Sequence, residues 1–143
     1  MAVQLQGNLV KKAHKKIKYT DKMLADLAKC SDPETGPMYF MENFLQIQHP
    51  TKGAIKFEPF KFQKNLVKNY HENRFSINML PRQTGKTTCA SAYLLWYAMF
   101  VPDSQILIAA HKYTGAQDIM NRFRYAYESV PDFIRPGIYS YNR

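Results

Sequence analysis

Residues 80–88 combine a glycine, a lysine and three hydroxyl side chains at a spacing that suits phosphate binding. Gly85-Lys86-Thr87 forms the back half of a phosphate-binding loop. A strand-to-helix turn here would direct backbone N–H groups and a helix N-terminus at one point, which attracts phosphate. Lys86 would reach the β- and γ-phosphates, and the Thr87 hydroxyl would bind Mg²⁺. The front half departs from the pattern, since Leu80 stands where the first glycine belongs.

The segments around this loop supply the context that such a motif needs. An apolar run at 75–80 predicts a strand, and the residues 86–101 predict a helix. A second apolar run at 106–110 fits a buried parallel strand. Ser76 and Asn78 interrupt the first run, which places it toward one side of the sheet or requires partners for the two polar groups. The prediction is an α/β fold with a right-handed β-α-β unit of the P-loop NTPase type, built on an incomplete parallel sheet.

The loop also carries a more specific likeness. It resembles the Walker A phosphate loop of phage large terminase subunits, the ATPases that pump DNA into procapsids, over the run Pro81-Arg82-Gln83-Thr84-Gly85-Lys86-Thr87-Thr88. The resemblance implies that these eight residues bind ATP, with Thr87 as the Mg²⁺ ligand. It also makes Arg82 a candidate catalytic arginine, close to the γ-phosphate in the transition state.

Three further segments look like the T-even type of terminase, and the likeness runs from about Tyr19 to the last residue. They are Tyr39-Phe-Met-Glu-Asn43, Ile108-Ala-Ala-His-Lys112 and Val130-Pro-Asp-Phe-Ile-Arg-Pro-Gly-Ile138. The resemblance implies viral double-stranded DNA, a portal protein and a small terminase subunit as partners. It also implies that the complete protein forms an oligomeric motor. It implies a location in the host cytoplasm, at the procapsid portal.

Gln63, at the start of a predicted helix ahead of the loop, resembles the Q-motif of terminases and related helicases. A side-chain amide offers one donor and one acceptor, which matches the N6 and N7 edge of adenine. The alternative is an ordinary exposed helix glutamine with Phe60 and Phe62 in the core. The nearby phosphate loop favours the adenine contact.

His111 and Lys112 follow the predicted second strand, at the sheet edge where ligands collect in open α/β folds. They are either near nucleotide or DNA, or simply a polar strand end, and the sequence does not separate the two. His49 is read as a turn residue because no second ligand lies at metal-binding spacing.

The composition predicts a folded chain with one core. Its 143 residues, 45% apolar and 14% aromatic, argue against disorder. Cys30 and Cys89 lie far apart without metal-ligand spacing, so reduced thiols are expected. The apolar run 92–101 is shorter than the about 20 residues that span a bilayer and predicts a buried helix.

We divide the chain into a basic arm (1–19), a helical and extended lead-in (20–58) and the front part of a phosphate-loop ATPase domain (59–143). The net charge is +9, and the arm holds five lysines and no acidic residue. Its cluster at 11–18 is either a nucleic-acid-contacting or docking arm, or a solvated, frayed end. The lack of interleaved aromatic residues favours the frayed end.

Local patterns predict the remaining elements. Thr20 is the expected N-cap of a helix at 21–29, and a second helix follows at 38–44. Extended runs at 45–48 and 54–57 flank a turn at 49–53, ahead of a helix at about 60–73. The last helix is predicted to start with a capping box, Thr114 to Gln117, and to end near Ser129. Its expected buried stripe is Met120, Phe123, Tyr127 and Val130, and a turn at 136–137 precedes an extended run at 138–141.

A phosphate-loop ATPase also needs an apolar strand ending in acidic residues, the Walker B motif. The nearest candidate, Phe100-Val101-Pro102-Asp103, has a proline inside it. In the terminase family the acidic motif and a nuclease domain come later than residue 143. We therefore expect this chain to be the front portion of such a motor, inactive alone and marginally stable or prone to aggregation. The alternatives are a helicase-like P-loop ATPase of DNA metabolism and a non-enzymatic docking fragment.

Overall fold

The computed structural model describes residues 10–49 and 51–139, a mixture of helices with one small antiparallel sheet. The elements in chain order are α1 (Asp21–Cys30), α2 (Gly36–Phe44), β1 (Gln46–His49), β2 (Gly53–Lys56), α3 (Lys61–Glu72), α4 (Lys86–Phe100) and α5 (Tyr113–Ser129). The predicted helices and the hairpin are therefore confirmed in kind, with ends that differ by one or two residues. Within the described ranges, no helix is long and apolar enough to cross a membrane.

Helix α4 lies at the centre of the core and packs against α2, α3 and α5. Its buried residues are Cys89, Ser91, Ala92, Leu95 and Trp96. Their neighbours in the core include Phe40, Met41, Leu66, Val67, Ala126 and Tyr127. The predicted burial of the run 92–101 is thus confirmed at its first half, and both cysteines are free, buried thiols.

The turn between α1 and α2 is tied to α4 through the single tryptophan. Trp96 Nε1 donates a hydrogen bond of 2.7 Å to the carbonyl oxygen of Cys30. A Cβ at Gly36 would overlap the same backbone oxygen and lie 3.3 Å from Trp96 Nε1, so glycine is required here. Thr20 caps α1, as predicted, because its Oγ1 accepts from the N–H of Met23.

The start of α5 differs from the prediction. The helix begins at Tyr113 after Lys112, which makes no side-chain capping bond, so Thr114 is not the N-cap. The predicted buried stripe is confirmed at Tyr127 and Val130, while Met120 is 39% exposed. Ala126, which was not in the predicted stripe, is buried in its place because α5 turns this side toward α4.

The two apolar runs that were predicted to form a parallel sheet lie outside any strand in the structure. The sheet of the described residues has two strands only, β1 and β2, which are antiparallel. Residues 75–80 and 106–110 have no strand partner, and several of their large apolar side chains are exposed: Phe75 at 83%, Ile77 at 95% and Leu107 at 92%. A parallel strand depends on a neighbouring strand for its hydrogen bonds, and none is present beside these runs in the described ranges.

Polar groups in the first run do find partners, as one of the two sequence readings required. Asn78 Oδ1 accepts from Asn69 Nδ2 of α3 at 2.8 Å, and Asn78 Nδ2 donates to Ser76 Oγ at 3.3 Å. These bonds attach the segment ahead of the loop to α3.

Part of the described basic arm is held against the end of the described chain. Lys11 is only 8% exposed, and its Nζ donates to the carbonyl oxygens of Asp132 (2.9 Å) and Arg135 (2.7 Å). Lys15 forms an ion pair of 2.9 Å with the Asp132 carboxylate, and Lys12 makes a parallel bridge to Ile138. The prediction of a solvated, frayed end is therefore wrong for Lys11 and Lys15, which have carbonyl and carboxylate partners, while Lys16 and Lys18 are exposed as that prediction requires. Residues 1–9 of the arm, Pro50 of the predicted turn and the end of the run 138–141 lie outside the described residues.

Candidate functional site

The loop ahead of α4 is a tight turn held by its own backbone. Gln83 (φ 64°) and Gly85 (φ 75°) both adopt left-handed backbone conformations. Thr84 Oγ1 donates to the carbonyl oxygen of Pro81 at 3.0 Å and closes the turn between them. Gly85 is the N-cap of α4, and the N–H of Cys89 donates to its carbonyl oxygen at 2.9 Å. The loop therefore leads directly into the helix N-terminus, as the sequence predicted.

Lys86 folds back over this turn. Its Nζ lies 3.3 Å from the carbonyl oxygen of Pro81 and 3.5 Å from that of Leu80. The first turn of α4 contains no acidic residue. The N–H groups in this first turn have no carbonyl partner within the helix, and they form the positive end of the helix dipole. An ammonium and a helix N-terminus that meet at one turn form an electrostatic arrangement suited to an anion.

Gln63 connects α3 to the loop through both atoms of its amide. The side chain is 6% exposed; Oε1 accepts from the N–H of Phe60, and Nε2 donates to the carbonyl oxygen of Thr84, each at 3.0 Å. A Cβ at Gly85 would lie 2.7 Å from Nε2. Gln63 thus supports the loop, a role that the sequence did not predict. One amide N–H and one oxygen lone pair remain for a ligand.

Two aromatic rings at the start of α3 are exposed, whereas Gln63 between them and the loop is buried. Phe60 is 67% exposed and Phe62 is 42% exposed, and their rings are stacked with centroids 5.9 Å apart and planes 7° apart. The alternative reading, with an exposed Gln63 and both phenylalanines in the core, is therefore wrong on both points. The run Phe57-Glu-Pro-Phe-Lys-Phe62 carried the signal, since the proline and lysine leave these rings at a helix entrance.

The remaining predicted residues lie around the same turn. Arg82 and Gln83 are exposed, and within the described ranges Arg82 makes no hydrogen bond or ion pair. Thr87 and Thr88 are half-buried on the first turn of α4. Behind them, burial raises the pKa of Cys89 to about 11, so this thiol stays protonated and serves packing.

The other candidate positions are not part of the loop's hydrogen-bond network. His111 and Lys112 are exposed, and Lys112 immediately precedes α5. Asp103, the nearest sequence candidate for an acidic strand end, lies in a turn after α4 with φ 53°. Among the residues that the structure describes, no group of three or more His, Cys, Asp or Glu side chains could hold a metal ion.

Comparison with known families identifies the segment that contains the loop. Residues 77–142 match the family described as terminase large subunit, T4likevirus-type, N-terminal. The match covers the loop and the motifs at 108–112 and 130–138, while Gln63 and the motif at 39–43 lie before it. The resemblance that the loop residues indicated is therefore confirmed over residues 77–142, which are similar to the N-terminal part of terminase large subunits of the T4-like-virus type.

Proposed function

We propose that residues 81–88 bind the phosphates of ATP together with Mg²⁺, as the nucleotide site of an ATP-driven motor that packages viral DNA. The observation that carries the proposal is the position of Lys86, whose ammonium lies over a left-handed turn at the N-terminus of α4. The family match of residues 77–142 supports a terminase-related role for this turn.

The donor set fits a triphosphate with its metal ion. Lys86 supplies a positive charge for the β- and γ-phosphates, and the Thr87 hydroxyl is the expected Mg²⁺ ligand. Residues Pro81, Gln83, Thr84, Gly85 and Thr88 complete the loop around the phosphates. Arg82, which makes no hydrogen bond or ion pair within the described ranges, is free to meet the charge that develops on the γ-phosphate in the transition state.

The adenine contact is proposed for Gln63 and the exposed rings beside it. The amide still has one N–H and one oxygen lone pair, which together match an adenine edge. Phe60 and Phe62 offer flat apolar surfaces next to it. Because Nε2 of Gln63 also holds the Thr84 carbonyl, a base bound there would be coupled directly to the phosphate loop.

The complete ATPase core is proposed to contain residues 75–80 and 106–110 as parallel strands. Their exposed apolar side chains are consistent with further strands beside them. In that assembly, viral double-stranded DNA, a portal protein and a small terminase subunit are the proposed partners, and the host cytoplasm at the procapsid portal is the proposed location.

Calorimetric titration with Mg·ATP tests the proposal. Lys86→Ala is expected to remove binding, while Lys22→Ala, which deletes an exposed lysine of α1 and changes the net charge equally, is expected to keep it. Unchanged affinity in Lys86→Ala, or equal losses in both variants, would contradict a phosphate site at this loop.

A further inference from the structure

A cleft of about 530 Å³ lies between β1, α4 and α5. One wall is formed by residues 45–49, the floor by the Ser91 side of α4, and the other wall by residues of α5 that include Asp118, Asn121 and Arg122. Its volume is in the range of ligand-binding clefts. Of the residues proposed to bind nucleotide, Thr88 alone lines this cleft, at its α4 side, and the loop residues 81–87 lie outside its lining.

The wall formed by β1 is a strand edge. Side chains of a strand alternate between its two faces, so a single face would contribute every second residue to a cleft. Here five consecutive residues, 45–49, line the cavity, which is expected when the backbone edge faces it. In the described ranges β1 pairs only with β2, so its other edge has no partner strand.

The register shows which backbone groups this edge offers. The N–H of Phe57 donates to the carbonyl oxygen of Leu45 at 3.0 Å, so residues 45 and 57 form a hydrogen-bonded pair. Pairs alternate along an antiparallel ladder, and therefore Gln46 and Gln48 direct their N–H and C=O groups away from β2. The N–H and C=O groups of these two residues can therefore form hydrogen bonds with the backbone of an added strand.

Two side chains in the cleft also lack partners. Ser91 is 3% exposed, and its Oγ has no hydrogen-bond partner within the described ranges. A buried hydroxyl without a partner is costly and points to a ligand group that completes it. Arg122 is exposed at the opposite wall and forms no ion pair in the part of the chain that is described.

We propose that this cleft binds an extended peptide segment of a partner protein, which adds to β1 as a third strand and directs an acidic side chain to Arg122. Alternating N–H and C=O groups along an edge are satisfied by a peptide backbone, which supplies the complementary groups at the same spacing. The lining holds one carboxylate, Asp118, and one guanidinium, Arg122, and neither forms an ion pair within the described ranges. An acidic guest side chain is therefore placed against Arg122, in a chain whose net charge is +9. The four residues of β1 accommodate a guest strand of about 13 Å.

The test is an NMR titration of the ¹⁵N-labelled full chain with the peptide acetyl-Thr-Val-Glu-Val-Thr-Val-amide. The amide signals of Gln46 and Gln48 are expected to shift and their hydrogen exchange to slow, while that of Ile47, already paired with Ile55, changes little. No change, or an equal change along β1, would overturn the proposal. The proposal would also be overturned if hexathymidylate, and not the peptide, shifted Gln46 and Gln48 but left Ile47 unchanged. That result would assign the cleft to nucleic acid.

A matched pair of proline variants tests the edge itself. Gln48→Pro removes an N–H from the free edge and is expected to weaken the peptide at least about tenfold, a loss typical of a hydrogen bond in a binding site. Ala54→Pro removes the equivalent N–H on the outer edge of β2 and is expected to keep the affinity. Equal losses in the two variants would overturn the assignment to the β1 edge.

A charge exchange keeps the proposal testable even where a proline disturbs the hairpin. Arg122→Glu, at an exposed position, is expected to weaken the glutamate peptide and to favour its lysine counterpart. Unchanged preference would contradict the contact with Arg122. Lys86→Ala should leave peptide binding intact, so failure here is distinguishable from failure of the nucleotide proposal.

Discussion

The contact between Gly85 and Gln63 makes a quantitative prediction for Gly85→Ala. An alanine at φ 75° is in the left-handed region, which costs about 1 kcal/mol. Its Cβ would also lie 2.7 Å from Gln63 Nε2, a distance that real Cβ contacts do not reach. The substitution therefore requires either the loop or the Gln63 amide to move.

Gln63 cannot move without losing hydrogen bonds. It is 6% exposed and bonds to Phe60 N and Thr84 O, each at 3.0 Å. A buried amide left without its partners costs about 1–3 kcal/mol. Together with the backbone strain, we expect Gly85→Ala to lower the free energy of unfolding by about 2–4 kcal/mol.

Gly53→Ala is the matched control. Gly53 has nearly the same φ, 71°, but a Cβ there would meet no atom within 4 Å. Only the backbone strain of about 1 kcal/mol is expected. Urea unfolding followed by the fluorescence of Trp96, the single tryptophan and 3% exposed, measures both variants.

Removing the obstructing side chain completes the argument. In the double variant Gln63→Ala with Gly85→Ala, the clash is absent. The double variant should therefore lose less free energy of unfolding than the sum of the losses in the two single variants. Equal losses for Gly85→Ala and Gly53→Ala, or simple additivity in the double variant, would refute the claim that Gln63 limits the loop.

Three further predictions address the site, the core and the arm. Gln63→Ala should weaken ATP more than GTP by about 1–3 kcal/mol in calorimetric titrations, because a bidentate contact to adenine is lost; equal losses would leave Gln63 as a loop support only. Burial raises the pKa of Cys30 to about 12 and that of Cys89 to about 11. An aromatic disulfide reagent should therefore label the two thiols only after denaturant is added, and rapid labelling of the native chain would contradict their burial. The hydrogen bond from Lys15 holds the pKa of the Asp132 carboxyl below its usual value. The stabilisation from this contact is therefore present above the unfolded pKa of about 3.9 and is lost as the pH falls through the lower folded pKa. An NMR titration of Lys15→Ala should show the pKa of Asp132 raised, and an unchanged pKa would exclude the contact in solution.

Local signals in the sequence predicted the helices well. The Thr20 cap, the apolar periodicity of α3 and the apolar run of α4 are each determined by nearby residues, and each element is present. The turn that leads into α4 at Lys86 was predicted for the same reason, since such a turn and the helix start depend on a few adjacent residues.

Non-local contacts explain what the sequence did not predict. Runs 75–80 and 106–110 have strand-like composition, but a strand forms only beside a partner, and no local pattern reports whether the partner is present. The burial of Lys11 depends on two carbonyl oxygens more than 120 residues away. The support of the loop by Gln63 likewise depends on how α3 packs beside α4, which periodicity alone does not determine.

The most direct measurement of the central claim follows the backbone amides of the loop as Mg·ADP is added to the ¹⁵N-labelled chain. If residues 81–88 bind the phosphates, the largest shifts should be those of Gly85, Lys86, Thr87 and Thr88, and they should saturate together. The same titration in Lys86→Ala should show no saturating shifts. Saturable shifts confined to other parts of the chain, or none at nucleotide concentrations that saturate ordinary ATPases, would contradict a nucleotide site at this turn.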